Sequence, residues 1–230
     1  MRGLTASANS VLVIDVGGTR VEVAATRNRE ERKIPSGSNM TAREKGRDVK
    51  RVSRDWEHGL VSSGYPGPVI RGRPLHEPHN LGGWGGFNFG KTSGCPLEVF
   101  NDAAVQALGN YEGGQMLFGG LGAGLGSAMI IDGIHEPMGL AHLLYKDGKT
   151  YEDYIVVRGL KRFGKSMRLP HSTDVVELLK DALEAECVVL GGGNSKIVEK
   201  LPPDTRWGNN RKTFLGDFRL AEKKNQSSTC

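Results

Sequence analysis

Asp15 and Thr19 flank two consecutive glycines in Asp15-Val16-Gly17-Gly18-Thr19, directly after the apolar residues Val11, Leu12, Val13 and Ile14. Glycine has no side chain to hold a ligand away, so successive N–H groups in such a turn can converge on an anion. A carboxylate at the head of the turn can hold a hydrated Mg²⁺ while amides and a threonine hydroxyl meet terminal phosphate oxygens. Two further glycine loops, 119–127 and 191–194, also follow apolar runs. A single glycine turn carries little weight, and Asp15 alone reads equally well as a turn former at a strand end. Three such loops in one chain, the first with an acid and a hydroxyl, point towards phosphate or nucleotide binding. The first loop matches neither G-x-x-x-x-G-K-[ST] nor a helix-opening G-x-G-x-x-G.

Asp102 is the second acid of chemical interest. It follows the apolar run 97–100 and Asn101, and precedes a helical stretch beginning at Ala103. Strand ends of this kind are where α/β proteins place ligands and chemistry. A carboxylate there can take the proton of an attacking hydroxyl, or cap the helix, and the two roles are compatible.

The elements that must position these groups follow from the pattern. Residues 11–14 and 21–25 read as a β-hairpin around the first glycine turn. Thr41 with Glu44 three residues later forms a capping box that opens a helix running to about Trp56. Strand 60–63 ends at Gly64-Tyr65-Pro66-Gly67, and a loop rich in Gly, Pro, His and Asn spans 71–89. Strands 115–119 and 127–131 flank the second glycine loop, and 134–148 reads as irregular. A helix begins near Tyr151, and 173–185 is amphipathic through Val175, Val176, Leu178, Leu179, Ala182 and Leu183. Residues 187–190 form a last buried strand before the third glycine loop. Two sets of strands with accompanying helices predict two α/β lobes, 1–108 and 109–230.

Composition narrows the partners. The 230 residues carry a formal charge of +5, which favours anions without reaching the strength of a nucleic-acid signal. Basic residues concentrate in 27–54 and 158–168, both interleaved with acidic or apolar residues, and read as solvated helix faces. Spacings of three and four would align Arg158, Lys161, Arg162 and Lys165 on one face, with Arg168 beyond. Such a face also suits a long polyanion. The three cysteines, Cys95, Cys187 and Cys230, are far apart, which argues against zinc and disulfides and for a reducing, cytoplasmic compartment. No run reaches the roughly 18 apolar residues of a membrane span.

Together, Asp15-Val16-Gly17-Gly18-Thr19, Gly64-Tyr65-Pro66-Gly67-Pro68-Val69, Asn101-Asp102-Ala103, Gly120-Leu121-Gly122-Ala123-Gly124-Leu125-Gly126-Ser127 and Leu190-Gly191-Gly192-Gly193-Asn194 resemble the ROK family (repressors, open reading frames and sugar kinases). The resemblance is to its polyphosphate-glucokinase-like branch and runs from about Val11 to Glu222. It implies an α/β, actin-like (ribonuclease H-like) two-lobed fold. It also implies transfer of a terminal phosphoryl group from polyphosphate or ATP to a hexose, glucose to glucose 6-phosphate, with Asp102 as general base.

By the same resemblance, Asp15, Gly17, Gly18 and Thr19 hold phosphate and Mg²⁺, the metal through water on Asp15. Gly122, Ala123 and Gly124 form the second phosphate loop, and Gly191, Gly192, Gly193 and Asn194 lie near the nucleotide. Gly67, Asn80, Asn101, Asp102, His142 and Glu152 meet the sugar. A homodimer is expected by analogy. The helix-turn-helix of family repressors and the cysteine-rich zinc motif are missing, so neither DNA binding nor structural zinc is expected.

Two departures stand out. Gly139 occupies the position, three before His142, where family kinases carry a glutamate, and Ala123 replaces a threonine. The first supports an alternative: a sugar- or phosphate-binding protein with impaired catalysis.

Overall fold

The computed structural model describes residues 10–16, 20–26, 28–36, 41–75, 91–92, 94–122, 124–193, 195, 200–209, 212–216 and 218–220. The chain forms two compact units, residues 1–105 with 217–230, and residues 106–216.

In the first unit β1 (Val11–Val16), β2 (Arg20–Ala25), β3 (Asn28–Pro35), β4 (Leu60–Tyr65) and β7 (Leu97–Asn101) form one sheet, ordered β3-β2-β1-β4-β7. The β3-β2-β1 pairs are antiparallel, and β4 and β7 extend the sheet in parallel. β1 is apolar at successive positions because both of its faces are covered, as parallel neighbours require. Leu12, Ile14 and Val16 pack with Val21, Val23, Ile34 and Trp56, under Ala42 and Val49 of α1 (Ala42–Val52). The Thr41–Glu44 capping box forms in full. β5 (Val69–Ile70) and β6 (Arg73–Pro74) make a small hairpin.

α2 (Asp102–Asn110) carries the chain across the boundary between the units. In the second unit β8 (Gln115–Leu121), β9 (Leu125–Ile131), β10 (Ile134–Met138), β11 (Cys187–Gly191) and β12 (Thr205–Trp207) are ordered β10-β9-β8-β11-β12. Here too the first three strands are antiparallel and the last two pair in parallel. Both sheets therefore follow one plan: a three-strand meander whose first strand pairs in parallel with a fourth strand, which pairs in parallel with a fifth. A 3-10 turn (Leu140–His142), α3 (Tyr151–Ile155) and α4 (Val157–Ala182) complete the unit. Its core gathers Leu117, Leu121, Leu125 and Met129 from the sheet with Ile155, Val175, Val176 and Leu179 from the helices.

Three expectations need correction. The stretch 27–54, expected as a basic helix face, contains the edge strand β3 ahead of α1. Arg32 and Ile34 face inward and Glu31, Lys33 and Pro35 outward, so the charges mark a half-wet strand rather than a helix. The Arg32 guanidinium lies 4.2 Å from the Trp56 ring centroid, and Lys33 pairs at 3.1 Å with Glu22, its cross-strand partner. Residues 134–148 are not irregular throughout, because β10 and the 3-10 turn lie there. Finally, α4 is broken at Gly164 (φ 75°, ψ 176°), so Arg158, Lys161 and Arg162 do not share a continuous helical face with Lys165 and Arg168.

Candidate active site

In the first unit, the parallel register of β1, β4 and β7 brings their carboxyl ends to one edge. Asp15 pairs with Gly64, Gly64 with Phe100, and Tyr65 with Asn101. Asp15 and Asp102, 87 residues apart in sequence, thereby become neighbours. The Gly64 Cβ position lies 3.6 Å from Asp15 Oδ1, so this strand end is in van der Waals contact with the Asp15 carboxyl.

The environment raises the pKa of both carboxyls. Burial pushes Asp102 up to about 6, opposed by N–H groups at the start of α2. Burial first, then the negative charge of Asp102, Glu22 and Glu31, pushes Asp15 up to about 7. Both carboxyls are held above the ordinary range, Asp15 in part by the charge of Asp102. At neutral pH Asp102 is thus charged and able to accept a proton.

Capping of α2 falls to Asn101, not Asp102. Asn101 Oδ1 accepts from the Ala103 N–H at 2.9 Å and the Ala104 N–H at 3.4 Å. Its Nδ2 donates to the Gly67 carbonyl at 2.7 Å, tying together two of the residues expected to meet sugar. Asn101 thus caps the helix, while the Asp102 carboxylate also accepts from the Ala103 N–H and its own N–H at the same helix start.

Mg²⁺ can be tested against this geometry. Among the described residues no group of three or more His, Cys, Asp or Glu forms a metal cage. Mg²⁺ in phosphoryl-transfer sites is commonly held by one or two carboxylates with water and substrate phosphates. Asp15, crowded by negative neighbours that a cation would offset, fits that weaker mode of holding.

In the second unit, β8 and β9 pair up to Leu121–Leu125, with Gly122 and Gly124 beyond the last pair. The Gly122 N–H donates to the Gly124 carbonyl at 3.1 Å. β11 runs parallel to β8 with Gly191 opposite Gly120, so the third glycine loop emerges beside the second. Glycine is required at Gly192: its φ is +85°, and a Cβ would sit 2.8 Å from the Leu121 carbonyl oxygen. Gly193 has open space at its Cβ position.

His142 and Glu152 lie ten positions apart and are drawn together by a short hairpin. The Tyr151 N–H donates to the Leu143 carbonyl at 3.0 Å, and Leu144 and Thr150 form an antiparallel bridge. Thr150 and Asp153 form a second capping box that starts α3, so T-x-x-D was a readable signal. The Tyr145 hydroxyl donates to Asp174, lies 3.1 Å from His171 Nδ1, and braces the hairpin against α4. His142 itself is exposed.

Glu152 is largely buried, with 12% of its side chain exposed, and Oε2 accepts from the Leu125 N–H at 3.4 Å. Arg158, absent from the expected site, pairs with Glu152 Oε1 at 3.0 Å. Of the expected residues, Gly17, Gly18, Thr19, Asn80, Ala123 and Asn194 lie outside the described residues. Among the described residues, no helix is long and apolar enough to cross a membrane.

No family model matches the sequence, and no curated protein matches it. Solved structures do match. An inorganic polyphosphate/ATP-glucomannokinase from Arthrobacter sp. strain KM aligns over 94% of this chain and 99% of its own, with TM-score 0.76 and 22% identity. A ROK hexokinase from Thermus thermophilus aligns over 94% and 99%, with TM-score 0.74 and 18% identity. A ROK family glucokinase from Streptomyces griseus, solved with glucose and AMPPNP, aligns over 93% and 99%, with TM-score 0.71 and 15% identity. Near-complete overlap of both chains, together with the plan repeated in the two sheets, fixes the architecture: the chain has the actin-like α/β fold of the ROK sugar kinases.

Proposed function

We propose that the protein is a ROK-type, Mg²⁺-dependent cytoplasmic hexose kinase that moves the terminal phosphoryl group of polyphosphate or ATP to glucose. The observation that carries this reading is the Asp15–Asp102 pair at the carboxyl edge of the first sheet, with the helix-capping role taken by Asn101. Asp102 accepts the proton of the sugar hydroxyl as that oxygen bonds to phosphorus. The bridging P–O bond breaks and its electron pair leaves with the donor. The transition state of such transfers is loose, so positioning by Asn101, Gly67, Asn80, His142 and Glu152 matters more than basicity. Bound near Asp15, Mg²⁺ would offset charge on the donor phosphates.

Glucose as acceptor, and the choice between donors, rest on the motif resemblance and on the similarity to the glucomannokinase and glucokinase structures. The deciding experiment is a coupled glucose 6-phosphate assay with each donor. Product with either supports the kinase. Glucose binding without product from any donor supports the impaired binding protein that Gly139 suggests.

Gly139 has φ −109° and ψ 44°, and nothing lies within 4 Å of its Cβ position. Neither backbone nor space demands glycine there. Gly139→Glu should therefore fold and lower the glucose KM by about tenfold, the scale of one charge-assisted hydrogen bond. An unchanged KM in a glucose titration would mean that this loop does not reach the sugar.

The break at Gly164 narrows the basic face to Lys161 and Arg162, both exposed, beside the ion-paired Arg158. The double variant Lys161→Gln, Arg162→Gln should slow polyphosphate use more than ATP use, with the difference shrinking as salt rises. Equal slowing with both donors would remove this face from donor choice.

A further inference from the structure

Both carboxylate oxygens of Glu152 are engaged in the second unit. Oε2 accepts from the Leu125 N–H at 3.4 Å and lies 3.1 Å from the Cβ position that Gly124 leaves empty. Oε1 pairs with Arg158 at 3.0 Å, while Asp153 is a weaker second partner of Arg158 at 3.5 Å. A loop amide, a glycine that admits close approach and a guanidinium are what a phosphate oxygen would seek, and here they surround a carboxylate of the chain itself. Arg158 is 58% exposed on its side chain, so an incoming anion can reach it.

We infer that the Leu125 N–H and Arg158 form a phosphate-binding site for the phosphoryl donor, and that Glu152 occupies it as an internal anion until the donor arrives. The inference rests on the kinase reading in one respect, that Glu152 also serves the sugar. Donor phosphate competes with Glu152 for Arg158 and the loop, and the displaced carboxylate becomes available to sugar hydroxyls. Sugar and donor then bind with positive coupling, each tightening the other by the same factor. Arg158 is a donor-binding residue in this scheme, and Glu152 links the two substrates.

The test is calorimetric titration of sodium tripolyphosphate into the full chain at fixed ionic strength, with and without saturating glucose. Glu152→Gln keeps the shape and removes the competing charge, so without glucose it should bind tripolyphosphate about fivefold tighter than the unaltered protein. Arg158→Gln should bind it at least about fivefold more weakly, and Arg158→Lys should recover part of the loss. Glucose should tighten tripolyphosphate binding to the unaltered protein and leave Glu152→Gln unaffected. If Glu152→Gln does not fold, Glu152→Asp, one methylene short of the loop amide, should shift affinity in the same direction.

Weaker or equal binding by the Glu152 variant would make the carboxylate a brace for the loop and overturn the proposal, as would an unaffected Arg158→Gln. So would the absence of tripolyphosphate binding in every variant. The kinase reading fails separately. Tighter anion binding by Glu152→Gln with no glucose 6-phosphate from any donor would keep the anion site and reject the kinase; turnover without that gain would do the reverse.

Discussion

Asp102→Asn should lower kcat by about 10²–10⁴, the usual contribution of a general base, while glucose affinity stays within about tenfold. The amide preserves shape and the start of α2, because the cap belongs to Asn101. It cannot accept a proton, so the loss falls on turnover rather than binding. In the unaltered protein kcat/KM should fall about tenfold per pH unit once the medium drops below about 6, where Asp102 becomes protonated. In the variant the Asp102 contribution to that limb should vanish, leaving only the one set by Asp15. Equal losses in kcat and glucose binding, or an acid limb unchanged by the substitution, would assign Asp102 a structural role.

Asp15→Asn should pair a large loss of activity with a gain in stability at alkaline pH. The carboxyl is held near 7 in the folded chain, against an ordinary value of 3.8. A raised carboxyl pKa adds stability that is complete below about pH 4 and is lost as pH rises through about 7. Above that, the folded protein carries an ionised Asp15 beside an ionised Asp102, and the amide removes that cost. The variant should melt higher than the unaltered protein at pH 8, by about 2–4 °C for each kcal/mol regained. The two should converge near pH 4. Thermal melts across this range with activity at pH 8 are the measurement. A variant that is inactive and also less stable at pH 8 would make Asp15 a structural turn former.

Much of this was legible along the chain. The run 11–14 and the Thr41–Glu44 capping box are local signals, and each formed where local propensity placed it. β3 was not legible as a strand because an edge strand with one wet face carries charges at alternate positions, and lone charges look alike on a helix or a strand. The continuity of 158–168 was misjudged for a related reason. Spacing reports a helical face only while the backbone stays helical, and Gly164 leaves that region.

The candidate site divides along the same line. Residue types determined by the sequence alone include the acids, the glycines able to approach an anion, and the departure at Gly139. Only the tertiary structure decided that Asp15 and Asp102 are neighbours, since parallel register joins strands whose separation in sequence carries no information about distance. It likewise decided that Asn101, rather than Asp102, caps α2. It brought Arg158 to Glu152 through the extended Val156 (φ −104°, ψ −164°), which turns the chain between α3 and α4 and defeats any helical spacing rule. Local chemistry is written in residue identity; the proximity that raises a carboxyl's pKa, or pairs it with a guanidinium, arises when sheet register and chain breaks bring distant residues together.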